Sequence, residues 1–148
     1  MTELEVGRLI AEREVEAVIK RYARGVDRRD WDAVRACFDP RGVIVGTFGR
    51  GSVGEYLPGL IRRVEAFGAT MHVIGNQVAE VMHDSATCES YGLAHHFDDE
   101  RGVVERLVVG VEYRDELERA GAGRWLIVQR TVRTLWERRD GLAATEHI

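Results

Sequence analysis

The hydrophobic period of this chain changes once, near residue 70, and that change restricts the folds open to it. Before it, Ala11, Val15, Val18, Tyr22 and Val26 recur at helical spacing on one face, while Glu12, Arg13, Glu16, Lys20 and Arg24 fall elsewhere. After it, residues 70–74, 77–82, 86–97, 103–114 and 124–137 read as strands, separated by GN, HDS, DDERG and ERAGAG. Those separators are turn sequences suited to antiparallel connections. Helices first and long antiparallel strands afterwards describe an α+β domain. The 148 residues are about the length of one domain and contain no repeat or low-complexity tract, so 1–148 is read as a single domain with a polar tail over 138–148.

Within the helical part, the first helix is expected over residues 5–26. A second is suggested by Asp30 as N-cap, Asp32 in the first turn and the stripe Trp31, Val34 and Phe38, stopping at Asp39-Pro40 and Gly42. VIV at 43–45 is a β-branched run and GRGS at 49–52 reads as a turn. Ser52 and Glu55 have the spacing of a capping box for a third helix carrying Leu57, Leu60, Ile61 and Val64, with Pro58 disturbing its first turn.

Composition removes several functions. A hydrophobic fraction of 45% with 31% charged residues belongs to a globular chain. The net charge of −4 is interspersed and leaves no basic stripe for nucleic acid. The N-terminal MTELEVGRLIAEREVE is broken by charges and offers neither a signal-peptide core nor a spanning segment, so a cytoplasmic protein with no membrane partner is expected. Cys37 and Cys88 form no CxxC pair and read as buried free thiols. His83-Asp84 and the run His95-His96-Phe97-Asp98 do not follow H-E-x-x-H, and adjacent strand residues point to opposite faces, so no metal is expected. No P-loop or dinucleotide glycine fingerprint is present, so no cofactor is expected.

The strands and the first helix end supply the candidate site. In CESYGLAHH, Cys88, Ser90, Gly92, Ala94 and His96 share one face, lined by small residues and ending in a histidine. Such a face suits either a small-molecule pocket or close helix packing. In RWLIVQRTVRTLW, Leu126, Val128, Arg130, Val132 and Thr134 alternate with Trp125, Ile127, Gln129, Thr131 and Arg133. Arg130 is then a lone charge among aliphatics and needs a partner, either a protein carboxylate or an anionic substrate group. Asp27 ends the apolar helix stripe three residues before Asp30. A carboxylate there faces the negative end of the macrodipole and calls for a compensating partner, unless Asp27 itself caps the second helix.

Taken together, VDRRDWDAV, ATMHVIGN, SYGLAHH, VEYRD and GRWLIVQR, spread over residues 8–136, resemble the SnoaL-like branch of the NTF2-like superfamily. The resemblance implies a cone: three helices on a strongly curved antiparallel sheet that encloses a pocket, with homodimers or homotrimers common. It implies that Asp27 orients His72 as a catalytic pair, as in the branch's dehydratases and dehydrochlorinase, with His96 as a second catalytic histidine. Tyr22, Tyr56, His95 and Arg130 are implied as substrate-binding. The glycine-rich lead into YRD is replaced by Val111-Glu112, and residues 46–58 follow no member, so the substrate does not carry over.

An Asp-His pair without a nucleophile fits proton abstraction, because no G-x-S-x-G elbow and no positioned cysteine are present. The expected function is cofactor-independent acid-base chemistry on a hydrophobic, oxygenated small molecule, of dehydratase or isomerase type. A polyketide-type cyclase, and a ligand-binding or oxygenase small-subunit-like module, are the alternatives.

Overall fold

The computed structural model describes residues 1–102 and 104–139. Helix α1 (Glu3–Arg28) starts at Thr2, whose hydroxyl accepts from the Glu5 N–H while the Glu5 carboxylate accepts from the Thr2 N–H. This reciprocal cap satisfies two orphan donors. Its buried residues Ala11, Val15, Val18, Tyr22 and Val26, joined by Ile19, form the stripe that packs on the sheet.

Helix α2 (Trp31–Arg35) is capped by Asp30, which accepts from the Ala33 N–H at 3.0 Å. It is shorter than expected, because Phe38 starts strand β1 (Phe38–Gly46) instead of ending a helix. The Ile127 N–H donates to the Cys37 carbonyl at 2.9 Å, and Phe38 pairs with Ile127, so cross-sheet bonding outcompetes the helical pattern there. Asp39-Pro40 lies where the pairing register shifts between Phe38 and Val43, a place that tolerates a proline. GRGS is not a turn either: β2 (Gly49–Ser52) pairs antiparallel with β1. Ser52 and Glu55 cap α3 (Val53–Glu65), which contains Pro58.

Four long strands follow: β3 (Ala69–Met82), β4 (Ser85–Phe97), β5 (Glu105–Arg119) and β6 (Trp125–Arg139). The two strands expected over 70–74 and 77–82 are one, with the GN separator accommodated as an irregularity between Gly75 and Val78. The six strands are ordered β2-β1-β6-β5-β4-β3, antiparallel except for the parallel β1–β6 pair, which makes the sheet mixed. Residues 138 and 139, expected in the tail, extend β6 by pairing with Val108 and Leu107. The rest of that tail, 140–148, and Val103 lie outside the described residues.

Local irregularities place side chains on the inner face. Along β4 burial alternates, and Cys88, Ser90, Gly92 and Ala94 are inside. Both cysteines are free and buried, and burial pushes the Cys88 thiol up to about 11. Along β6 the strict alternation fails. The β5–β6 register shifts between Glu116 and Leu117, where Leu117 pairs with Ile127 and Glu116 with Gln129. Trp125 and Ile127 therefore join the core, although simple alternation set them opposite Arg130. No helix among the described residues is long and apolar enough to cross a membrane.

Candidate active site

Asp27 lies in the last turn of α1 and reaches across to β3. Its Oδ2 accepts the His72 backbone N–H at 2.8 Å, and its Oδ1 lies 2.6 Å from His72 Nδ1. The Thr70 hydroxyl donates to the same Oδ1 at 3.0 Å. Asp30, not Asp27, serves as the helix cap. Burial works to raise the Asp27 pKa, but the side-chain bond and charge of His72, its backbone N–H and the Thr70 hydroxyl outweigh that and hold the carboxyl below its ordinary value. An ionised Asp27 only accepts, so Nδ1 carries the hydrogen and Nε2 of the neutral imidazole keeps a lone pair.

The chain after Asp27 supports this arrangement. Arg29 adopts φ +57 as the left-handed cap of α1, with its N–H donating to Val26 O and the Asp30 N–H to Gly25 O. Glycine is the usual residue in that motif, and a non-glycine there costs roughly 1–3 kcal/mol. The Arg29 side chain offsets the cost. Its guanidinium donates to Thr70 Oγ1 at 2.7 Å and to the carbonyls of Asp27, Val64 and Phe67 at 3.2, 3.3 and 3.1 Å. Because arginine can only donate, the Thr70 oxygen accepts from it and directs its own hydrogen at Asp27.

A cavity of about 380 Å³ opens beside this pair, lined by His72, His96, Tyr22, Tyr113 and Arg130 and by aliphatic residues that include Val26, Ile44, Leu60 and Val109. That volume falls in the range of small-molecule sites. His96 lies 6.3 Å from His72, ring centroid to ring centroid, and 4.8 Å from Phe67. Burial lowers its pKa, helped by the nearby His72 and Arg29 and opposed by bonds to the Leu107 and Ala94 carbonyls. Its Nδ1 lies 3.2 Å from the Leu107 carbonyl, so the neutral ring donates there and its Nε2 is an acceptor.

Arg130 is 1% exposed. Its partner is a protein carboxylate: Nε and Nη2 donate to Asp115 Oδ1 and Oδ2 at 2.7 and 2.9 Å, across the β5–β6 pairing. Burial opposes the charge, but Asp115 holds the guanidinium firmly protonated, above its ordinary range. The group lies over the rings of Tyr22 and Tyr113, at 4.1 and 4.5 Å. Burial pushes both phenols up, so they stay neutral. Nη1 is buried and has no hydrogen-bond partner among the described residues, which leaves one strong donor at the cavity wall.

The remaining candidates separate. Tyr56 stands at the cavity mouth, its ring 5.8 Å from that of Phe48. His95 is not brought to the cavity. Strand alternation turns it to the outer face, where Nδ1 lies 2.6 Å from Glu105 Oε2. Sequence reasoning missed Arg29, Thr70, Tyr113 and Asp115. The last two had a signal, since Tyr113 and Asp115 are two apart in VEYRD and so share a face. Thr70 had a weaker one, two residues before His72, and Arg29 had none. Among the described residues no three of His, Cys, Asp or Glu cluster closely enough to hold a metal ion.

Comparison with known proteins agrees with this architecture. The curated proteins include no match. Among solved structures, a hexachlorocyclohexane dehydrochlorinase, LinA type 3 from Novosphingobium barchaimii, superposes with a TM-score of 0.76 at 17% identity, over 93% of this chain and 94% of its own. A candidate scytalone dehydratase from Novosphingobium aromaticivorans gives 0.75 at 19%, over 90% of both chains. An NTF2-like protein with a cystatin-like fold, also from Novosphingobium aromaticivorans, gives 0.73 at 24%, over 95% of this chain and 90% of its own. At these identities the likeness concerns the fold. The family model of the SnoaL-like domain matches residues 7–131, and the chain belongs to that family.

Proposed function

We propose that this chain is a cofactor-independent acid-base enzyme that acts on a hydrophobic, oxygenated small molecule by a dehydratase or isomerase type of reaction. The observation that carries the reading is the Asp27–His72 hydrogen bond at the wall of an apolar cavity. Asp27 fixes the imidazole with Nδ1–H toward itself, and His72 Nε2 takes a proton from the carbon next to a carbonyl. The electron pair moves onto the carbonyl oxygen, where the free N–H bonds of Arg130 Nη1 stabilise it. His96 Nε2 accepts a hydrogen bond from the substrate hydroxyl and orients it. In a dehydration the C–O bond then breaks, and the imidazolium returns its proton to the departing hydroxide as water. If no group leaves, reprotonation elsewhere completes an isomerisation. The same enolate could close a ring, so a cyclase differs only in product.

The test is solvent exchange. The protein is incubated in D2O with a panel of apolar ketones and β-hydroxyketones, and loss of the α-proton signal is followed by NMR. Exchange or elimination that disappears in His72→Gln, with the fold retained by circular dichroism, is the expected result. Exchange that persists unchanged in His72→Gln removes His72 as the base. A panel that is bound without any exchange leaves a ligand-binding module as the function.

The outer sheet face supports a homodimer or homotrimer in solution. Met71, Val73, Tyr91, Leu93 and Trp136 are exposed there, and a contiguous apolar patch of this kind favours association.

A further inference from the structure

The cavity does not end at Tyr56. Phe48, Tyr56 and Arg63 line it and also line a second groove, about 480 Å³, that runs outward between β2 and α3. The groove is different in character. Arg50, Arg62 and Arg63 project into it, and none has a carboxylate within ion-pair distance among the described residues. Its one carboxylate, Glu55, is already engaged, accepting from the Ser52 N–H and hydroxyl at 2.9 and 2.8 Å. Arg63 is held at the junction by its guanidinium lying 3.4 Å from the Phe48 ring centroid.

The groove is also kept open by the sequence. Gly59 sits inside α3, where glycine costs roughly 1 kcal/mol relative to alanine. A Cβ there would meet nothing closer than Arg62 Nη2 at 3.8 Å, so packing does not require the glycine. Its lack of a side chain leaves room in the groove. Three arginines against the single carboxylate of Glu55 leave the groove net positive, and a net positive channel attracts and orients an anion.

Resting on the acid-base reading of the cavity, we infer that the ligand is amphipathic: an apolar body beside His72 and an anionic oxygen head group, carboxylate or phosphate, bound in the groove by Arg50, Arg62 and Arg63. The head group would set which end of the molecule enters first, and so which carbon meets His72 Nε2.

Two fluorescent probes with the same apolar body test this: anilinonaphthalene sulfonate, which carries an anionic group, and N-phenyl-1-naphthylamine, which does not. The unmodified protein should bind the sulfonate about tenfold more tightly than the neutral amine at low salt, the scale of one or two exposed charge contacts. The preference should vanish in Arg50→Gln/Arg62→Gln and shrink in raised salt, with binding of the neutral probe unchanged. Equal binding of the two probes, a preference that survives the double substitution, or binding of neither overturns the proposal. Displacement of the sulfonate by decanoate, decyl phosphate and decanol then identifies the head group. Decanoate alone indicates a free acid and decyl phosphate alone a phosphate-bearing carrier, whereas decanol displacing as well as either refutes an anion site. The assay needs no turnover. Intact probe preference with no His72-dependent exchange would sink the catalytic reading alone, and exchange without preference would sink the groove alone.

Discussion

Replacing Asp27 with asparagine separates the orienting role of the carboxylate from its place in the fold. Oδ2 accepts the His72 N–H and Oδ1 accepts from both Thr70 and His72 Nδ1, so the site demands acceptors at both positions. An amide has only one. With its oxygen at the Oδ1 position, its NH2 would oppose the His72 N–H and leave a buried donor unpaired, at a cost of about 1–3 kcal/mol. With the amide turned over, the oxygen keeps the backbone bond and the NH2 faces the ring. His72 then satisfies it by accepting at Nδ1 and moving its own hydrogen to Nε2. That second arrangement costs the Thr70 hydroxyl its acceptor but conserves the fold, and it removes the base, since Nε2 no longer holds a lone pair. Replacing the orienting carboxylate of a serine protease in this way lowers turnover on the order of 10⁴-fold. A loss of 10³-fold or more is therefore the scale expected here for His72-dependent exchange. Nitrogen-15 NMR of the histidine side chains at about pH 9, well above the ordinary imidazole range, reads the tautomer directly. The unmodified protein should show His72 protonated at Nδ1 and Asp27→Asn should show it protonated at Nε2, with urea unfolding shifted by no more than about 3 kcal/mol. If His72 carries its hydrogen on the same nitrogen in both proteins, Asp27 does not set the tautomer and the pair is only structural.

Three other perturbations follow from the geometry. Arg130→Met leaves Asp115 buried and unpaired and should cost about 3–5 kcal/mol in urea unfolding, whereas Arg130→Met/Asp115→Leu should recover most of it; equal losses in both would deny the pair its coupling. Stability should fall as pH drops below about 6.5, because the unfolded chain protonates His96 before the native state does, its folded pKa lying below that ordinary value. It should fall again below about 3.8 through Asp27, whose folded pKa is also depressed. His96→Gln should flatten the upper limb and keep the lower one, and an unchanged upper limb would remove His96 as its source. Finally, Trp136→Glu places a charge on the apolar outer face, and analytical ultracentrifugation should show a homodimer or homotrimer dissociating to monomers; an unaltered assembly would place the interface elsewhere.

The sequence carried the fold class because helical spacing dominates before residue 70 and period 2 after it, and burial of α1 and β4 follows those periods closely. It failed where long-range pairing overrides a local pattern. Phe38 completes a helical stripe with Trp31 and Val34, but its bond partner lies in β6. GRGS has turn composition, yet pairing with 43–46 makes it an edge strand. The register shift opposite Leu117 depends on how two strands meet, and no single strand announces it. The site divides along the same line. Asp27 and Arg130 stood out because each is a polar residue at a position whose pattern called for an apolar one, and His72 was implied only by the family resemblance. Their supports did not stand out, because a threonine in a strand and an arginine after a helix are ordinary until their partners are known.

That distinction bears on how the site is built. Asp27 comes from the helical half and His72 from the sheet half, 45 residues apart, so their 2.6 Å contact depends on how α1 docks onto β3. The docking has its own fastener. From its left-handed cap position Arg29 bonds the end of α1, the end of α3 at Val64 and Phe67, and Thr70 on β3, so the same guanidinium that fixes the layers also points the Thr70 hydrogen at Asp27. A glycine would fill that backbone position at lower strain, and it would leave Thr70 free to turn its hydrogen away. The strained arginine is then the link between the fold and the protonation state of its site. The contrast with Arg130 is instructive. Arg130 is more deeply buried than Arg29, and its hydrogen bonds go to one partner, Asp115, through Nε and Nη2. Arg29 ties Thr70 to the carbonyls of Asp27, Val64 and Phe67 through Nη1 and Nη2, whereas the buried Nη1 of Arg130 has no hydrogen-bond partner among the described residues.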